Sequence, residues 1–78
     1  MTMEDYLADY NYYLSLYNET KEKYDKVHTQ YEKLKGTGEL DIREQFEFIT
    51  ELSGLQAELD YIDGVLYEME GEIDNGNA

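Results

Sequence analysis

MEDYLADYNYYLSLYNETKEKYDKVHTQYEKL, residues 3–34, decides the fold. Read in sevens, one register holds Met3, Tyr10, Tyr17, Tyr24 and Tyr31. The register three residues later holds Tyr6, Tyr13, Thr20, Val27 and Leu34. This a/d repeat, with no Gly or Pro inside it, predicts one long helix whose apolar residues share a single seam. Tyrosine gives that seam its character. The ring buries a large apolar area, but the hydroxyl wants a partner when enclosed, so a Tyr seam suits an interface with a wet edge. Core packing is the ordinary use of such a stripe.

The flanks of this stretch set the helix ends. Thr2, with Asp5 three residues on, fits an N-cap, and Glu4 and Asp5 place acid in the first turn. Lys33 and Lys35 complement the negative end of the dipole, and Gly36 follows as a C′ residue, so the helix is expected over 3–35. Residues 36–40 then form a short flexible connection of the length found between antiparallel neighbours. Asp41 caps a second helix, expected over 41–73, with Glu44 as its capping-box partner. Its seam runs Phe48, Leu52, Leu55, Leu59, Ile62, Leu66, Met69 and Ile73, alternately four and three apart, and Ile42, Phe46 and Ile49 widen the apolar face at its start.

The fold class is therefore all-α: a long antiparallel helical hairpin forming one domain over 1–78, with a disordered tail at 74–78. Two readings of Gly54, Gly64 and Gly71 compete. They soften or break helix two, with Val65–Glu70 free to pair as a strand, or Ala57, Gly64 and Gly71 form a small-residue stripe that another helix can approach. A single seam is a thin core for 78 residues. A homodimer, packing two hairpins into a four-helix bundle or coiled coil, is expected to use the apolar residues that one hairpin leaves over, among them Tyr12, Phe46, Tyr61 and Tyr67.

Composition narrows the function. Nineteen acids against six bases leave a net charge of −13, well beyond the roughly 2 to 8 units usual for a small domain. Such a field repels nucleic acid and anionic lipid and attracts basic partners. No direct nucleic-acid or membrane binding is expected. Hydrophobic residues at 41% and in register argue against disorder. There is no Cys for disulfides or thiolate metal sites. Residues 1–16 carry Glu4, Asp5 and Asp9 with no basic n-region, so no signal peptide is expected, and the protein is read as cytoplasmic.

The placement of the acid matters more than its total. Residues 1–20 hold four acids and no base, and residues 60–78 hold six acids and no base. An antiparallel hairpin brings these segments together, so its open end carries −10 of the −13. Glu68, Glu70, Glu72 and Asp74 crowd the C-terminal end of helix two, where the dipole disfavours each by about 0.3–1 kcal/mol. Glu44, Glu51, Glu58 and Glu72 share one heptad position, and Asp60, Asp63 and Glu68 are expected to fill in between them. Members seven apart rise roughly 10.5 Å along the axis, which suits a strip imitating backbone phosphates. The candidate binding residues are thus Glu51, Glu58, Asp60, Asp63, Glu68, Glu70 and Glu72, with Glu4, Asp5 and Asp9 beside them. Tyr6, Tyr12 and Tyr13 are placed to add contacts at the rim.

Catalytic and metal chemistry finds little support. His28 is the one histidine, beside the Tyr24–Tyr31 seam, and is read as packing. Asp25-Lys26-Val27-His28 has carboxylate-x-x-His spacing, but a di-iron bundle needs a second such motif. No stretch fits an EF-hand or a phosphate loop. Neither an enzyme nor a cofactor is expected.

Two resemblances bear on function. Gln56-Ala57-Glu58-Leu59-Asp60 resembles the Ser-Gln-Glu-Leu-Asp signature of the Spo0E-like response-regulator phosphatases, also short helical hairpins, through Glu58, Leu59 and Asp60, with Gln56 where that family has serine. That resemblance implies a phosphatase role requiring Asp60. In charge, size and architecture the whole chain resembles phage-encoded acidic proteins that mimic DNA. This second resemblance implies a dimeric inhibitor in an infected bacterial cell, occupying the DNA-binding surface of a basic host protein, with the nucleoid protein HU the favoured target. A coiled-coil adapter that binds a partner helix through its seam is the alternative from a different class.

Overall fold

The computed structural model describes residues 2–74: two helices, α1 (Met3–Thr37) and α2 (Ile42–Asp74), and no strand among them. They pack side by side into a rod of 53 × 16 × 14 Å. Its long dimension is the rise of the 35 residues of α1 at 1.5 Å each. No helix of the described residues is long and apolar enough to cross a membrane.

Local chemistry sets each terminus. Thr2 is extended, and its side chain accepts a hydrogen bond from the Asp5 N–H at 3.2 Å, satisfying one of the donors a helix start leaves free. At the other end α1 runs two residues past the predicted stop. Gly36 stays helical and Gly38, at φ +71°, takes the left-handed position. The Gly38 N–H donates to Lys35 O and the Glu39 N–H to Leu34 O, both at 3.2 Å, the bond pair of a Schellman cap. This shift shortens the predicted 36–40 connection and turns Leu40 inward, where it is buried. Asp41 then caps α2, its Oδ1 accepting from the Glu44 N–H at 2.8 Å. Asp74, expected as the first residue of a disordered tail over 74–78, is helical; residues 75–78 lie outside the described residues.

Both seams face each other. Tyr10, Tyr13, Tyr17 and Tyr24 are half-buried, as are Leu52 and Leu55, while Leu59, Ile62, Leu66 and Met69 are buried. Tyr31 meets Phe48 edge-to-face at 5.5 Å near the loop, a favoured aromatic geometry. No buried side-chain nitrogen or oxygen lacks a partner among the described residues, so no seam tyrosine encloses its hydroxyl unpaired. The core is nonetheless thin: among the described residues no large side chain is fully enclosed.

The glycines of α2 neither break it nor open a strand; Val65–Glu70 is continuous helix. A Cβ built on Gly54, Gly64 or Gly71 meets nothing within 4 Å, so the small-residue stripe receives no other helix of this chain. Each Gly→Ala change should stabilise the hairpin by about 0.5–1 kcal/mol. Gly38→Ala should cost about 1–2 kcal/mol, because only this glycine is left-handed. Thermal melts of the four single variants check both signs.

Candidate interaction surface

The ten candidate acids are all exposed. None joins an ion pair among the described residues. Two ion pairs, Lys21–Asp25 and Arg43–Glu47, and a His28–Glu32 contact that is ionic only when the imidazole is protonated, lie each within one helix and towards the middle or loop end. Exposed i,i+4 pairs of this kind are worth only a few tenths of a kcal/mol. His28 also stacks on Tyr24, with ring centroids 5.8 Å apart and planes at 11°, which accounts for it without a ligand. The described residues include no group of His, Cys, Asp and Glu placed to hold a metal ion.

Pairing of the helices divides the acids. With a set on Tyr10 and Leu59, the e positions of both helices border one side of the rod and the g positions border the other. On the g side, Glu58 lines a shallow concavity with Leu16, Thr20 and Tyr61, and Glu68 and Glu72 line another with Tyr6 and Val65. Glu51, Asp5 and Asp9 belong here by heptad position. On the e side, Asp60 and Asp63 share a hollow with Lys21, Tyr17 and Tyr24, and Glu70 shares one with Leu7 and Tyr10. Glu4 falls on this side by its position. The expected single strip is therefore corrected to two. Glu68 does lie beside the Glu51–Glu58–Glu72 row, but Asp60 and Asp63, at positions b and e, lie across the rod from it.

At the open end one side-chain hydrogen bond among the described residues ties the two helices. The Tyr10 hydroxyl donates to Glu70 Oε1 at 2.7 Å, joining residues sixty apart in sequence. Nothing in the charge pattern signals this contact, which depends on the register the loop imposes. That bond, with partial loss of solvent and the charges of Glu70 and Asp74, holds the Tyr10 phenol above its ordinary value. Tyr6 is raised too, through partial desolvation and the nearby Glu72 and Glu68 charges. Lys21 is raised by its hydrogen bond to Asp25.

A pH dependence follows from the two phenols. A phenol raised on folding adds stability that is fully present below its unfolded value of about 10 and is lost as pH rises through the higher folded value. Alkaline titration should therefore loosen the open end first. Phenolate absorbance should show two tyrosines ionising late, and Tyr10→Phe should remove one of them.

No protein-family model, curated protein or solved structure matches the chain.

Proposed function

We propose that the protein is a non-enzymatic DNA mimic. It works as a homodimer in the cytoplasm of an infected bacterial cell, binds the basic surface of a nucleic-acid-binding host protein, and so displaces DNA. The observation that carries this reading is the open end: exposed carboxylates without an ion pair, joined by no Lys or Arg in residues 1–20 or 60–74. Carboxylates that neutralise nothing within their own chain, and that destabilise the end of α2 where they sit, have their compensation elsewhere. The g-side row adds spacing. Glu51 and Glu58 rise about 10.5 Å, close to three phosphate steps of ~3.4 Å along a DNA strand. A protein such as HU, which grips DNA with little base readout, suits a mimic that copies charge and not base edges.

A second reading has its own support. Ile42, Phe46 and Ile49 are 85, 70 and 49% exposed, an apolar stripe of the kind an adapter offers a partner helix. Salt separates the two, because screening weakens a charge-driven contact and leaves an apolar one nearly unchanged.

The test is capture of partners from bacterial lysate on the tagged protein, followed by a rising salt gradient. Basic DNA-binding proteins that elute at moderate salt, and that added DNA competes away, support the mimic. Partners that are helical, non-basic and salt-resistant refute it in favour of the adapter.

A further inference from the structure

The geometry points to a second copy of this chain as the occupant of the e side of the rod, lying antiparallel so that the loop of each hairpin sits beside the open end of the other. This deepens the proposed function and rests on its claim that the chain acts as a homodimer.

Three observations carry it. The first is the uneven distribution of apolar side chains. Of the nine large ones left exposed, Leu7 and Leu14 on α1 and Ile42, Phe46 and Ile49 on α2 fall at e or adjoining b positions. The g side, by contrast, carries most of the candidate acids, which leaves it free to meet a target while the e side is covered.

The second is area. A stable interface buries roughly 800 Å² per partner, and a flank 53 Å long and 16 Å wide provides a strip of that size. The thin core of one hairpin gives such a cover something to stabilise.

Charge is the third, and it chooses the direction. All six bases lie between Lys21 and Arg43, in the loop half, whereas residues 60–74 and 2–20 hold only acids. A parallel pair would set two ends of like charge side by side. The antiparallel pair sets each acidic end beside the half of its partner that holds every base. Its twofold axis then passes near Glu58, the midpoint of Ile42–Asp74. Gln56, whose amide now bonds Asp60 of its own helix at 3.0 Å, would meet Asp60 of the partner subunit across that axis. Ile42, Phe46 and Ile49 would lie along the last turns of the partner's α2, and acidic ends would emerge at both tips of the dimer.

Sedimentation equilibrium on the full chain tests the proposal, with Phe46→Glu, Ile49→Glu and, as the g-side control, Tyr61→Glu. All three side chains are exposed in the hairpin, and circular dichroism checks that each variant stays helical. The wild type and Tyr61→Glu should be dimers, and Phe46→Glu and Ile49→Glu should raise the dissociation constant by about 100-fold or more. The chain has no cysteine, so a mixture of Gln56→Cys chains and Asp60→Cys chains reports direction. It should form a disulfide-linked dimer on oxidation, while Phe46→Cys alone should not. A monomeric wild type, a dimer broken by Tyr61→Glu but not by Ile49→Glu, or a dimer that cross-links through Phe46→Cys and not in the Gln56→Cys and Asp60→Cys mixture would each overturn the proposal. None of these readouts needs a target. A monomer that still captures a basic partner sinks the interface alone, and a dimer of this form that captures none sinks the mimic alone.

Discussion

Replacing Glu68, Glu70 and Glu72 together with lysine will weaken partner capture by about 10²-fold or more and leave the hairpin folded. The three exchanges move the net charge by two units each, from −13 to −7, which brings it inside the roughly 2 to 8 units of a soluble small domain. They convert the open end from a field that attracts basic surfaces to one that is mixed. Steered association exceeds unsteered association by about 10²-fold or more at low salt, so a loss of that size is expected, and the residual binding should respond little to salt. Stability should move the other way. The last turn of α2 has no base, and exchanging an anion for a cation there is favourable by about 0.3–1 kcal/mol per site, offset in part by loss of the Tyr10–Glu70 hydrogen bond. Reversing Glu22, Glu32 and Glu47 instead changes the total charge equally but leaves the open end intact. Binding should then fall far less. Titrations of both triple variants at several salt concentrations, beside thermal melts, make the check, and equal losses would mean that only total charge matters.

Ile62→Ala should be the most damaging single truncation of the core. Ile62 is 4% exposed, the most covered apolar side chain of the described residues, and it packs on the seam beside Thr20. Removing it costs about 2–3 kcal/mol, the lower part of the range for buried aliphatic truncations, because a rod two helices thick can partly close the gap. For a domain whose whole stability is of the order of 4–12 kcal/mol at 0.05–0.15 kcal/mol per residue, that is a large share. The melting midpoint should fall by roughly 10–20 °C. Tyr12→Ala, on an exposed side chain, should change it by no more than what about 0.5 kcal/mol produces.

Periodicity alone makes both seams legible, since a/d spacing in each helix names the residues that meet. The caps at Thr2 and Asp41 are legible for a similarly local reason: an oxygen-bearing side chain three residues before a free N–H. The stop of α1 is not. Gly36 and Gly38 are equally able to turn left-handed, and the choice falls on Gly38 because that lets Leu40 reach the core. Leu40 reads as loop because nothing in its neighbours announces burial. For the acids, the concentration at the open end follows from counting charge along the chain. Their division between two sides follows from the heptad positions of Asp60 and Asp63 against Glu58, which charge counting ignores. The Tyr10–Glu70 bond requires the register between the helices, which the turn sets and no local pattern encodes.

The aromatic contact beside the turn and the hydroxyl bond at the far end also set an order of assembly. Tyr31 and Phe48 are seventeen residues apart (31 to 48), whereas Tyr10 and Glu70 are sixty apart. Closing the longer loop first costs about 1 kcal/mol more in chain entropy, and like charges oppose it further. On loop-closure entropy alone the chain is expected to zip from Leu40 outward, so that the tip that carries the most charge is the last to close and the first to part. Amide exchange should be slowest around Tyr31 and Phe48 and quicken steadily towards Tyr10 and Glu70, leaving the acid-bearing tip as the part of the rod most able to adjust its shape to whatever it meets.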